Sequence, residues 1–159
     1  MDFDLRRLPV FASLQEGHVR LLEALIEKIT CRPGELIIRQ DSPADYFYII
    51  LRGKVEIFFK PYDGMPITIT HLEEGGLFGW SAVIGSGKYT SSARAIADVK
   101  AISILGRDLR KLSVEHPEAG SEILNKLASA VSSRWKDAHE QVKAILSQGL
   151  KNGNNSQMD

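Results

Sequence analysis

The chain has 159 residues, 43% of them hydrophobic and 25% charged, enough to bury the core of one ordinary domain and unlike the composition of a disordered polymer. Twenty basic residues balance twenty acidic ones, so the field that sequence-independent binding to nucleic acid or to an anionic membrane requires is missing. The longest apolar run, Tyr46 to Leu51, falls far short of the roughly 20 residues that span a bilayer, so no membrane helix is expected.

Residues Met1 to Asp4 lack the basic start and apolar stretch of an export signal. Ser13 followed by Glu16 reads as a capping box, and Val19, Leu22, Leu25, Ile26 and Ile29 recur at helical spacing, which predicts a helix over 14–29. Cys31 is the one cysteine. It can form neither an internal disulfide nor a thiolate metal site, which points to a reducing cytoplasm and to a small buried apolar role. From Thr30 the pattern becomes short β-rich runs at 36–39, 46–51, 55–59, 67–71, 92–97 and 100–105. Turn residues punctuate them: Pro33-Gly34, Ser42-Pro43, Arg52-Gly53, Asp63-Gly64, Gly75-Gly76 and Gly85 to Gly87. Such regular punctuation predicts hairpins closing into a barrel or jelly roll over about 30–105.

After Gly106 helical spacing returns over about 107–148. Leu109 and Leu112 lie on a short helix that ends before Pro117. A long helix is predicted next, with Ile123, Leu124, Leu127, Val131, Trp135, Ala138, Val142, Ile145 and Leu146 as its apolar stripe and Gly149 as its stop. Along Leu124, Leu127, Val131, Trp135, Ala138 and Val142 the steps are threes and fours, so the stripe is either a coiled-coil seam of a homodimer or a face packed on the chain's own barrel. One domain over 1–149 is expected, and the polar, asparagine-rich residues 150–159 are expected to be a disordered tail.

Two blocks carry a family signal: RPGELIIRQDSPADYFYIILRGKVEIFF at 32–59 and GGLFGWSAVIGSGKYTSSARA at 75–95. Together they resemble the cyclic nucleotide-binding domain family, which includes catabolite-activator-type regulators and regulatory subunits of cyclic-AMP-dependent kinase. The resemblance covers nearly all of residues 8–146. It implies a mainly β fold with flanking helices, an antiparallel eight-stranded jelly-roll barrel between an N-terminal helix and a long C-terminal helix. It also implies a phosphate-binding cassette between two strands, placing candidate ligand-binding residues at Phe78, Gly79, Trp80, Ser81, Ala82, Tyr89, Thr90 and Ser91. Gly79 permits close backbone approach, Ser81 to Ile84 can form one helical turn with amides aimed at an anion, and Thr90, Ser91 and Ser92 offer hydroxyls.

Two positions depart from the family pattern. The family's cassette glutamate, which binds the ribose hydroxyl, is matched by Trp80, and its phosphate-pairing arginine by Tyr89, or by Thr90 when the match is shifted by one residue, neither of them charged. Lys88 is the nearest cation, Arg94 matches a basic position outside the phosphate contact, and Asp41 stands where a turn glycine is usual. The cassette is therefore either decayed or rebuilt around aromatic surfaces on which a base could stack. Trp135 reads as a filler of a helix–helix seam or, by the resemblance, as a lid over the ligand.

Competing chemistry is weak. Gly79-Trp80-Ser81-Ala82-Val83 lacks the second glycine of a nucleophile elbow, and Gly85-Ser86-Gly87 is too short for a phosphate loop. A metal-dependent jelly roll needs clustered histidines, whereas only His71 falls on a predicted strand; His18, His116 and His139 fall on helices or their ends, where solvated or capping roles are expected. The chain is thus expected to be a cytoplasmic, bacterial, non-enzymatic sensor without metal or cofactor. A small ligand, a cyclic nucleotide or related anion, would sit in the cassette and signal through the C-terminal helices, to a homodimer partner or a separate effector protein. Too few residues follow the long helix for a DNA-reading domain, so no direct DNA binding is expected. The alternative is a ligand-free interaction domain that keeps only the architecture.

Overall fold

β-Branched and aromatic residues, bounded by glycines at positive φ, set the eight strands of this computed structural model, which describes residues 4–131 and 145–147. The strands are β1 (Ile26–Cys31), β2 (Leu36–Ile38), β3 (Tyr46–Arg52), β4 (Val55–Phe59), β5 (Ile67–Leu72), β6 (Leu77–Phe78), β7 (Ser92–Ala95) and β8 (Val99–Leu105). All pair antiparallel in two four-stranded sheets, ordered β1-β8-β3-β6 and β2-β7-β4-β5. The jelly roll is therefore two facing sheets rather than one continuously hydrogen-bonded barrel.

Alternation along the strands sends one set of side chains between the sheets. The first sheet contributes Cys31, Ile50, Phe78, Val99 and Ala101, and the second contributes Ile38, Val55, Ile57, Ala93 and Ala95. Each large aliphatic residue here contributes about 1.5–3 kcal/mol by leaving water. Phe47, Ile49, Ile102 and Ile104 point to the other side of the first sheet and are buried as well.

The chain divides into two units, Ile26–Gly106 and Met1–Leu25 with Arg107–Asp159, the second called the helical unit after its described residues. In the helical unit two 3₁₀ turns, Leu5–Arg7 and Pro9–Phe11, precede α1 (Glu16–Glu23). A five-residue helix, α2 (Trp80–Ile84), belongs to the strand unit; α3 (Gly106–Glu115) and α4 (Pro117–Ala130) follow β8. Gly120 lets α4 approach α3, because a Cβ there would lie 2.4 Å from the Ser113 Cα.

Three helical expectations are corrected. The helix predicted over 14–29 stops at Glu23, and Ile26 and Ile29 lie on β1, paired with Ile104 and Ala101. The predicted capping box does not form: Gln15 is the N-cap and lacks a side-chain cap bond, while Ser13 Oγ accepts a 2.6 Å bond from Lys126 Nζ. The long helix is not continuous, since α4 ends at Ala130 and Val131 is extended at ψ 147. Ser129 Oγ and Asn125 Nδ2 donate back to the carbonyls of Asn125 and Ser121, which weakens a helix that then meets β-branched Val131. Residues 145–147 are helical again. Trp135, Ala138, His139, Val142, Gly149 and the tail at 150–159 lie outside the described residues.

Candidate functional site

The connection from β6 to β7 is built on glycine. Gly79 caps α2 at φ 89, and a Cβ there would lie 2.7 Å from the Tyr46 carbonyl oxygen, so only glycine fits. Gly85, at φ 70, ends the same helical turn, and its amide returns to the Ser81 carbonyl. Residues 87–89 then run beside residues 41–44: Ala44 N–H donates to Gly87 O, Tyr89 N–H to Ser42 O, and Asp41 N–H to Tyr89 O, all at 2.9–3.0 Å.

The structure brings the predicted residues together around this turn but sends the two aromatic rings to different places. Trp80, 1% exposed, packs edge-on against Phe47 at 6.0 Å between ring centroids, on the side of the first sheet that faces away from the other sheet. Tyr89, 7% exposed, joins the core between the sheets. Its hydroxyl donates to Tyr46 O at 2.6 Å and accepts from Tyr46 N–H at 3.0 Å, so one phenol satisfies both backbone groups of the first residue of β3. Phe78 stacks on Tyr48 at 4.9 Å. Ser81 and Ala82 are buried; Ser91 is half-buried and Thr90 exposed. Ser92, the third predicted hydroxyl, is buried and accepts from Gln40 N–H at 2.9 Å.

Burial pushes the Tyr89 phenol above its ordinary range, with the nearby Asp45 and Tyr46 adding to this against the lowering effect of its backbone hydrogen bonds. Tyr48 is raised too, first by burial and then by repulsion from Tyr89. Both therefore act at neutral pH as neutral groups. They are hydrogen-bonding and packing surfaces with no charge to offer an anion. Sequence reasoning missed Tyr46 and Tyr48; they share one face of β3, and strict alternation along that strand was the signal that could have placed them. Arg94 lies with its guanidinium 4.7 Å from the centre of the Phe58 ring.

In the helical unit His18 Nδ1 meets Glu122 Oε1 at 2.5 Å, so this histidine is partnered rather than simply solvated. His116 is the N-cap of α4 without a side-chain cap bond, and His71 is exposed on β5. A groove of about 580 Å³ lies here, lined in part by Pro9, Ser121, Glu122 and Lys126 and by none of the cassette residues. Among the described residues no three His, Cys, Asp or Glu side chains are grouped to hold a metal, and no helix is long and apolar enough to cross a membrane.

Two facing antiparallel sheets with a glycine-bounded helical turn between β6 and β7 define a jelly-roll domain. The chain belongs to the cyclic nucleotide-binding domain family, whose model matches residues 28–116. It is 29% identical over 128 residues to a CRP-like cAMP-activated global transcriptional regulator of Mycobacterium tuberculosis, a match covering 80% of this chain and 57% of the regulator. The chain thus corresponds to little more than half of that relative's length. A protein from Geobacter metallireducens, described as a candidate cyclic nucleotide-binding protein, shares the fold at TM-score 0.70 and 32% identity, over 79% of this chain and 91% of that one. The regulatory subunit of a cAMP-independent protein kinase A from Trypanosoma brucei aligns at TM-score 0.66 and 17% identity, over 91% of this chain and 48% of that one.

Proposed function

We propose that this chain is a non-enzymatic regulatory domain of the cyclic nucleotide-binding type whose cassette is closed by its own side chains, and that it works without an ordinary cyclic nucleotide. The observation that carries this reading is the Tyr89 hydroxyl, which holds both backbone groups of Tyr46 at the position where the family has its phosphate-pairing arginine. Trp80, at the position of the family's glutamate, is turned into packing against Phe47 and leaves no ring face for a base. Losing two charge-assisted hydrogen bonds costs about 3–6 kcal/mol of binding, or roughly two to four powers of ten in affinity. A parallel supports this: the trypanosomal subunit described as cAMP-independent has a cAMP-bound form that carries three substitutions, one of them threonine to arginine.

Output then passes through contacts of the helices, to a second copy of the chain or a separate effector protein, in the bacterial cytoplasm. Melting the protein with cyclic AMP, cyclic GMP and cyclic dinucleotides at millimolar concentration tests the reading. The expected result is no shift. A ligand at a hundredfold excess over its Kd adds about 2.7 kcal/mol, a rise of several degrees, and such a rise would overturn the closed-cassette reading in favour of a sensor whose ligand reaches Thr90 and Ser91.

A further inference from the structure

Beyond Ser92 the second sheet has a gap. The ladder between β4 and β7 stops at the pair Phe58 and Ser92, and on the other side of Ser92 the chain leaves through Ser91 and Thr90 into the cassette. Gln40 fills the vacated place. Its backbone N–H donates to Ser92 Oγ at 2.9 Å, and its carboxamide pairs with both backbone groups of Lys60: Lys60 N–H donates to Oε1 at 2.8 Å and Nε2 donates to Lys60 O at 2.9 Å. A side-chain amide thus imitates a strand residue and fastens the base of the loop 60–66 that joins β4 to β5, just past the last pair, Phe59 and Ile67. The hairpin continues past this point into solvent, with Tyr62 wholly exposed and Met65 80% exposed.

The residues that follow Gln40 are tied to the cassette. Asp41 N–H donates to Tyr89 O, and Ser42 O accepts from Tyr89 N–H. One short stretch therefore holds Tyr89 with its backbone and the hairpin with its Gln40 side chain. We propose that Gln40 is the connector through which the state of the cassette segment at Tyr89 sets the order of the β4–β5 loop, residues 60–66. The coupling is independent of whether any ligand enters, because it runs through hydrogen bonds of the chain itself. When the Tyr89 anchor loosens, the stretch 40–42 shifts and the carboxamide loses its register on Lys60. The exposed tip is then released.

Hydrogen exchange of the full chain at residues 60–66, followed by mass spectrometry in a double-mutant cycle, tests this. Gln40→Leu is expected to speed exchange there roughly tenfold by removing both bonds to Lys60. Tyr89→Phe, which deletes the hydroxyl, is expected to speed it about threefold in the wild-type background and to add nothing in the Gln40→Leu background. Equal acceleration by Tyr89→Phe in both backgrounds, or acceleration in neither, overturns the proposal. If Tyr89→Phe does not fold, Ser42→Ala takes its place, because it loosens the turn that lies between Tyr89 and Gln40: acceleration confined to the Gln40 background supports the connector, and additive or absent effects reject it. A rise in exchange on nucleotide addition would count against the closed cassette without touching this cycle.

Discussion

Asp41 shows how a single residue can carry strain that its neighbours hold in place. Its φ of 71 lies in the left-handed region, and it is the one non-glycine residue with positive φ among the described residues. Its N–H is fixed on Tyr89 O, and the turn around it is closed by Ser42, whose N–H and Oγ both donate to Arg39 O. A side chain with a Cβ pays for this conformation, although aspartate tolerates it better than most. Asp41→Gly keeps every one of those bonds. It is expected to stabilise the protein by about 0.5–1 kcal/mol, the relieved strain exceeding the added freedom of the unfolded chain, with a melting temperature higher by roughly 1–3 °C. A fall in melting temperature would mean that the Asp41 side chain contributes something the backbone does not show. The same scale explains what could be read of the cassette in advance. The identities of Trp80 and Tyr89 at two charged positions of the family were visible in the sequence. Their directions were not, because they follow from the left-handed turn at Gly79 and from the unpaired backbone of Tyr46 waiting across it.

Among the elements, α1 and α4 are joined by a titratable contact within the helical unit. Glu122 on α4 meets His18 on α1, accepts a 3.4 Å bond from the N-cap amide of Gln15, and lies one turn before Lys126, which itself donates to Ser13 Oγ. Burial raises the Glu122 carboxyl pKa, but the hydrogen bonds from His18 and Gln15 and the charges of His18 and Lys126 outweigh it and hold the group below its usual range. A carboxylate whose folded pKa is depressed adds stability above the unfolded value near about 4.3, and that stability is lost as pH falls through the folded value. Glu122→Gln is therefore expected to cost about 1 kcal/mol at pH 7, with the difference from wild type closing as pH falls through the depressed folded value. Urea unfolding across that range checks it, and a difference that stays constant with pH would show that the pair is not what titrates. Elements were legible where one pattern dominated: β3, β4, β5 and β8 fall within a residue or so of their expected bounds. β1 was not, because Ile26 and Ile29, three apart, share one face of a helix but lie on opposite faces of a strand; only pairing with β8 places them there. β6 has two residues, too few for any period to register.

For the whole molecule the open proposal is self-association through the stripe that begins on α4. Leu124 and Leu127 are completely buried within the single chain, and α4 ends at Ala130, so those two leucines serve internal packing first. A seam that depends on a second copy must draw on the part of the stripe after them, Val131, Trp135, Ala138 and Val142. The two roles separate by substitution. Leu127→Ala removes a fully buried side chain and is expected to cost about 2–5 kcal/mol of stability while leaving the sedimentation coefficient unchanged under conditions where it remains folded. Trp135→Ala is expected to do the reverse, shifting a dimer to a monomer at micromolar concentration with little change in the monomer's melting. A wild-type chain that sediments as a monomer at high micromolar concentration, whatever stands at position 135, would remove the dimer from the proposal and leave a separate effector protein to carry the output.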